Sequence, residues 1–340
     1  MRRSVFLSRP GRPGRPWRAG SRFRRGGLSG GGSRMAAKAS RFDGPSLEDA
    51  PLGSRPFAFV LSGGAALGSW QGGALFALSE ESGWRAHSVV GTSAGAINGA
   101  AYLQGDLPLL QELWRSIPRA RFMKWSLGFR PPRLWSLESV GEYLSEVISE
   151  ESCRKSRRCW FYPVSSDVAN GETFQAEFSP DPAGPWQGPL IEKLLGSMAV
   201  PFLFPPARIA HETPGLPARV LVDGHVTSSL FLDRLARRGV RDFVFVNVIS
   251  EWEMRRPLFS PRGLIGTLIH QLLEAQIENG LEPFRFGFQE LGVRAFVLRP
   301  SRPLEVSVFR FDANECRAAF DLGIADARTW AANPGPTRVL

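Results

Sequence analysis

The chain reads as an α/β protein with a mostly parallel central sheet, and three observations say so. FAFVLS (57–62) is a continuous apolar run, as expected of a strand buried on both faces. The run breaks abruptly into glycines and gives way to helical spacing, and the same switch recurs at SVVGTSAGAING (88–99). Along the rest of the chain apolar runs alternate with helical patterns, the order that builds parallel strands covered by helices on both faces.

Taken in order, 57–62 predicts the first strand, and Leu67, Trp70, Leu75, Phe76 and Leu78 among small residues predict a helix over 67–81 packed on the sheet. A short strand at 87–90 runs into GTSAG and a helix at about 94–103, with further helical patterns near 107–116 and 136–149. FYPVSSDV (161–168) and ETFQAEF (172–178) predict strands joined at Asn170-Gly171, a good tight-turn pair. LIEKLLGSMA (190–199) is helical and stops at Pro201. ARVLVDG (218–224) and RDFVFVNVI (241–249) predict strands around a helix at 230–238. A helix near 262–279, a strand at 293–298 and a last helix at 313–332 complete the pattern.

A hydrophobic fraction of 43% over 340 residues allows a substantial core in one large domain or two small ones. No stretch approaches the ~18 consecutive apolar residues of a membrane-spanning helix. Cys153, Cys159 and Cys316 are odd in number and lack CxxC spacing, which favours a reduced, cytosolic compartment and disfavours a zinc site.

The net charge of +10 is unevenly placed. Residues 1–41 hold eleven Arg and one Lys with no acid, while the remainder carries 30 basic against 32 acidic side chains. The near-neutral body gives little support to nucleic-acid binding. Residues 1–56 read as a basic low-complexity tail, 57–328 as the folded domain and 329–340 as a C-terminal tail. Four readings of the tail stay open. Arg2-Arg3 suggests a twin-arginine signal, but no useful apolar region follows. The Arg and Ser content suits a transit peptide, but Pro10, Pro13 and Pro16 would break its helix. The tail can also act as a polybasic arm toward an anionic membrane, or translation can begin at Met35.

Gly91-Thr92-Ser93-Ala94-Gly95 is GxSxG, set between an apolar strand and a helix of small residues as a nucleophile elbow requires. Alone it also fits a tight strand–helix turn with a structural serine. At the first switch, Gly63-Gly64-Ala65-Ala66-Leu67-Gly68 can aim consecutive amides into one cavity, for a phosphate or for an oxyanion. No Lys-Ser/Thr follows Gly68, and Ala65 stands where a dinucleotide fingerprint has glycine, so a serine one βα unit later favours the oxyanion. Asp223-Gly224 closes the strand Val220-Leu221-Val222, where a carboxylate can take a serine proton directly or merely cap the next helix. None of His87, His211, His225 and His270 stands in a context that recommends it as a base.

LSGGAALGSWQGGAL, GTSAGAING and LVDGHV, in that order and spacing, resemble the patatin-like phospholipase family, as do SSDVANGETFQ and LLGSMAVPFLFPP. The resemblance covers roughly 57–328. It implies a three-layer α/β/α fold, a Ser–Asp dyad of Ser93 as nucleophile and Asp223 as proton acceptor, and an oxyanion loop of Gly63, Gly64, Ala65 and Gly68. Gly91, Gly95, Gly224 and His225 flank these motifs. It also implies hydrolysis of fatty-acyl esters, of phospholipase A or lysophospholipase type, with no metal or organic cofactor. Ala65 stands where the family has Gly, Leu67 where Arg or Lys is common, and His225 where the family has the small third residue of DGG or DGA. Two rivals remain: a Ser-Asp-His α/β-hydrolase using His270, and a catalytically weak lipid-binding relative. The segment 119–135, RARFMKWSLGFRPPRLW, alternates basic and aromatic residues and reads as a membrane contact or as a surface loop with its aromatics turned inward.

Overall fold

The computed structural model describes residues 51–227, 230–250, 271–282 and 292–335, apart from the side chains of 121 and 122. Residues 1–50, His270 and the first part of the helix expected at 262–279 lie outside the described residues. The strands are β1 (Phe57–Leu61), β2 (Ser88–Thr92), β3 (Trp125–Phe129), β4 (Pro132–Trp135), β5 (Trp160–Asp167), β6 (Glu172–Gln175), β7 (Ala207–Ile209), β8 (Arg219–Asp223), β9 (Asp242–Val246) and β10 (Arg294–Leu298). The helices are α1 (Gly68–Phe76), α2 (Ala94–Gln104), α3 (Pro108–Arg115), α4 (Arg119–Phe122), α5 (Leu137–Val147), α6 (Glu150–Ser156), α7 (Leu190–Met198), α8 (Leu232–Arg237), α9 (271–282) and α10 (Ala313–Ala332).

One sheet runs in the order β10-β9-β1-β2-β5-β8-β7, with β6 paired to β5 off that path. Neighbours from β10 through β5 are parallel. Beyond β5 the pairing turns antiparallel, to β6 and β8 and then from β8 to β7. The two-residue period of β1 divides its side chains between two cores. Phe57, Phe59 and Leu61 enter the larger one, shared with α1, α2, α3 and α10, whereas Ala58 and Val60 pack with Leu232 and Leu235 of α8 and Ile277 and Leu281 of α9. The result is the expected sheet between two helical layers.

At the amino ends of the central strands, buried Asp242 is held by Arg294 at 2.8 Å and by Arg55. This is how a carboxylate at the start of a fully buried strand keeps its charge compensated. On the larger face α1 and α10 touch backbone to backbone. A Cβ on Gly73 would overlap the Phe320 carbonyl, and one on Gly323 would overlap that of Trp70. Trp70 Nε1 also donates to Asp326 Oδ2 at 2.8 Å, fixing the rotation of one helix against the other. Among the described residues no helix is long and apolar enough to cross a membrane.

The last helix spans the expected 313–332, and strands and helices that carry the core fall within a few residues of their expected bounds. The expected helix at 67–81 changes to a π-type turn after Phe76. Several elements lie where none was expected: α4, the β3–β4 ribbon, α6 and β7. Substituting Gly323→Val places a branched side chain into the Trp70 backbone. Such overpacking costs about 1–3 kcal/mol, and equilibrium unfolding in urea is expected to show a lower midpoint.

Candidate active site

The elbow comes first. β2 ends at Thr92, Ser93 takes φ 54°, ψ −122°, and α2 starts at the next residue. A non-glycine residue in that region is strained, and the strain is held by its surroundings. Ser93 N–H donates to Ser197 Oγ at 2.9 Å, and Ser197 Oγ donates to the Val164 carbonyl of β5 at 2.6 Å. Ser197 thus pegs the turn to the neighbouring strand. Gly91 and Gly95 let the first turn of α2 lie directly on backbone, since a Cβ on Gly95 would come within 2.7 Å of the Ser62 carbonyl.

The first switch stands beside it at the end of β1. Gly64 has φ 144°, a value that favours glycine, and Ala65 has φ 49°. Ala66 N–H donates to the Val308 carbonyl and Leu67 N–H to that of Gly64, both at 3.0 Å. The amides of Gly64 and Ala65 donate no backbone hydrogen bond among the described residues. Gly68, expected in the oxyanion loop, differs: its N–H is directed at the carbonyls of Ala65 and Ala66, and a Cβ there would press on Ala94 and Trp114. It serves the packing of α1, because the chain has already turned helical at that point.

Asp223 ends β8 opposite Ser165 of β5. Its N–H donates to the Ala199 carbonyl, and its own carbonyl accepts from Ser166 Oγ, each at 3.0 Å. Asp223 Oδ1 caps the single turn Gly224–Val226 by accepting from His225 N–H at 2.9 Å, and the same oxygen lies 2.5 Å from His225 Nδ1. The His225 ring therefore faces the site, where sequence context gave no histidine that place. A Cβ on Gly63 would overlap His225 Cε1 and lie 2.9 Å from Ser93 Cβ and 3.1 Å from His225 Nε2. The absent side chain of Gly63 is the space in which imidazole and serine meet. No hydrogen bond joins Ser93 to Asp223 among the described residues.

Ser93, Asp223, His225, Gly64 and Ala65 all line one cleft of ≈ 140 Å³. Its remaining walls are apolar, from Val200, Val226, Leu272, Leu273, Val308 and Phe309. A second apolar recess continues from Ser93 toward Ile97, Met123, Met198 and Phe204. Among the described residues no group of three or more His, Cys, Asp or Glu is placed to hold a metal ion. Burial pushes the Cys153 thiol up to about 12 and that of Cys316 to about 11, so neither offers a thiolate near neutral pH.

The profile of the family described as patatin-like phospholipase matches residues 59–236, more than half of the chain and all of the cleft's glycine, serine and aspartate motifs. The chain belongs to that family. Lipid acyl hydrolysis, broadly taken, comes with the membership. No curated protein matches the sequence. Among solved structures, VipD from Legionella pneumophila is similar with a TM-score of 0.43 and 14% identity, over 82% of this chain and 67% of that one.

Beneath the cleft of this patatin-like domain runs a chain of buried side-chain hydrogen bonds. Trp114 Nε1 of α3 donates to Asn98 Oδ1 of α2 at 2.7 Å, and Asn98 Nδ2 donates to Gln71 Oε1 of α1 at 2.9 Å and to the Gly68 carbonyl at 3.0 Å. Gln71 Nε2 then donates to the carbonyls of Ser62 and Val246 at 3.1 and 2.7 Å. Sequence reasoning passed over Gln71 and Asn98; the available signal was an amide in the middle of each of two helices whose neighbouring residues are small or apolar. Replacing Asn98 by Ala strands the Trp114 N–H and the Gln71 carbonyl. Each stranded group costs about 1–3 kcal/mol, and thermal unfolding of Asn98→Ala is expected well below that of the parent chain.

Proposed function

We propose that this patatin-like protein cleaves fatty-acyl esters of phospholipid or lysophospholipid type through an acyl-enzyme on Ser93, with Asp223 as the second member of a Ser–Asp catalytic unit. One observation carries the reading: a strained serine, a buried carboxylate and two residues whose amides donate no backbone hydrogen bond among the described residues line the same apolar cleft. The walls take the acyl chain, and Ser93 Oγ attacks the carbonyl carbon. The amides of Gly64 and Ala65 stabilise the oxyanion, helped by the amino end of α2. Asp223 supplies the negative charge on which removal of the Ser93 proton depends. Departure of the alcohol leaves the acyl-serine, which water then hydrolyses. No metal or organic cofactor enters this scheme.

A fluorophosphonate probe is expected to label the parent chain and not Ser93→Ala. Ser93→Ala and Asp223→Asn should each lower ester hydrolysis by ~10³-fold or more, because members of one catalytic unit are not additive. A folded parent chain that neither labels nor hydrolyses would instead be a silent lipid-binding relative.

The β3–β4 ribbon supports a lipid surface as the place where substrate is met. Its alternation runs opposite to that of a core strand: Trp125, Leu127 and Phe129 share one face and are 69%, 70% and 92% exposed. The segment 119–135 carries no acid, and Arg119, Lys124 and Arg130 are exposed around that face. Leu134 and Trp135 N–H both donate to the Leu203 carbonyl, and the Trp135 ring lies 5.9 Å from that of Phe309, a wall of the cleft. Rings at headgroup depth and cations worth about 1 kcal/mol each near an anionic surface suit peripheral attachment. The triple change Trp125→Ser, Leu127→Ser, Phe129→Ser is expected to abolish co-sedimentation with phosphatidylglycerol vesicles while hydrolysis of a soluble short-chain ester is kept.

A further inference from the structure

We propose that His225 is the immediate proton acceptor from Ser93, so that the Ser–Asp unit operates as a Ser93–His225–Asp223 relay in which the histidine comes from the aspartate's own motif. The proposal rests on the hydrolase reading above and concerns the path of one proton within it. Three geometric facts carry it. First, the carboxylate is already engaged by the histidine: Oδ1 accepts from the backbone N–H of His225 at 2.9 Å and lies 2.5 Å from its Nδ1. Second, an ionised carboxylate only accepts, so Nδ1 carries the proton and the lone pair of the neutral ring lies on Nε2. Third, the far edge of that ring, Cε1 and Nε2, is aimed at the gap above Gly63, whose other side is Ser93 Cβ. His225 is 9% exposed and lines the cleft together with Ser93 and Asp223.

The motif's spacing explains how two residues apart can act in series. After β8 the chain enters the turn Gly224–Val226, and Asp223 caps it through the His225 amide. That capping bond folds the imidazole back over the carboxylate. An aspartate followed by glycine and a small residue would leave this volume empty and let the carboxylate face the serine itself. The imidazole fills it, and Gly63 leaves the room it needs.

The proton and electron count closes at each step. The Ser93 Oγ–H bond breaks as Oγ bonds to the ester carbonyl carbon; the proton goes to Nε2, and the imidazolium is held by Asp223 through Nδ1–H. When the tetrahedral adduct collapses, the ester C–O bond breaks and the leaving alkoxide takes the proton from Nε2. Water repeats the sequence: its O–H bond breaks toward Nε2 as its oxygen adds to the acyl-serine, and Ser93 Oγ recovers the proton when the fatty acid departs. Every transfer uses the same nitrogen, on the ring edge that meets the space at Gly63 beside Ser93, while Asp223 anchors the ring through Nδ1. In a resting structure the Ser93–Nε2 bond need not be formed, since catalytic hydrogen bonds tighten when substrate is bound.

The test uses the full chain and its His225→Gly, His225→Gln, Asp223→Asn and Ser93→Ala variants, assayed on a soluble p-nitrophenyl ester. Both His225 variants are expected to lose about 10²–10⁴-fold in kcat with KM little changed, while their thermal unfolding stays close to that of the parent. Added imidazole should restore turnover to His225→Gly, which opens a ring-sized space, and to none of the others. Near-parent turnover in His225→Gly, with Asp223→Asn dead, overturns the relay and leaves the hydrolase reading standing. If His225→Gly fails to fold, His225→Gln decides: it retains most of the volume and a donor toward Asp223 but has no titrating nitrogen, so an active Gln variant reduces His225 to a spacer and overturns the proposal. A parent chain without hydrolysis or fluorophosphonate labelling removes both readings together.

Discussion

The geometry of the cleft depends on three buried side chains, Trp114, Asn98 and Gln71, that hydrogen-bond in series across α3, α2 and α1 and end on the carbonyls of Ser62 and Val246. Those carbonyls close β1 and β9, where regular strand pairing runs out. Without an internal donor they would face a dry interior, which costs more than an ordinary bond returns. Satisfying them from α1 fixes where that helix starts and therefore where the glycine turn before it lies. Satisfying α1 from α2 fixes the second turn relative to the first. In a low-dielectric interior such bonds reinforce one another, so the two turns are set by one polar network and not by two local preferences.

On that base the cleft assembles from the carboxyl ends of three strands. β1 leads to the Gly64 and Ala65 amides, β2 to Ser93 and β8 to Asp223 and His225. β5 lies between β2 and β8 and is the strand at which the sheet changes from parallel to antiparallel. The change lets β8 run back along β5 and still deliver its last residue beside the serine, with Ser197 of α7 bridging the Val164 carbonyl to the elbow. Ligand sites in open α/β sheets gather where strand direction or order changes, and this cleft follows that rule.

Most of the frame was legible in the sequence because it is written in burial. Apolar runs marked β1 and β9, the Asn170-Gly171 pair marked the turn between β5 and β6, and the 20 residues of α10 were read to their ends. What escaped has identifiable causes. Pro131 and Pro132 argue against a strand, and the ribbon around them shows its large apolar residues to solvent, which inverts the pattern that marks a strand in a core. α6 announces itself through its Ser149 cap more than through an apolar stripe, with Cys153 its buried residue. Ser93 and Asp223 were legible because their motifs include the backbone turn that displays them. His225 was legible only as a departure from a pattern. Its direction depends on the capping bond made by Asp223 Oδ1, and spacing along a chain does not encode that bond. Gly68 illustrates the converse: it stands inside a recognisable motif, yet its amide belongs to the helix.

The family match stops at residue 236, inside α8, but the sheet does not. β9 pairs with β1 along its whole length, β10 pairs with β9, and α10 meets α1 with no side chain between them at Gly73 and Gly323. Phe309 and Val308, also beyond the match, wall the cleft, and the Val308 carbonyl receives the Ala66 amide. The unit of recognisable descent is thus smaller than the unit of folding: an excised 59–236 fragment would keep every signature residue while exposing an unpaired edge in the middle of a buried sheet. Heredity is easiest to read where chemistry fixes the residues; the last third of this domain is held by shape, which many sequences satisfy.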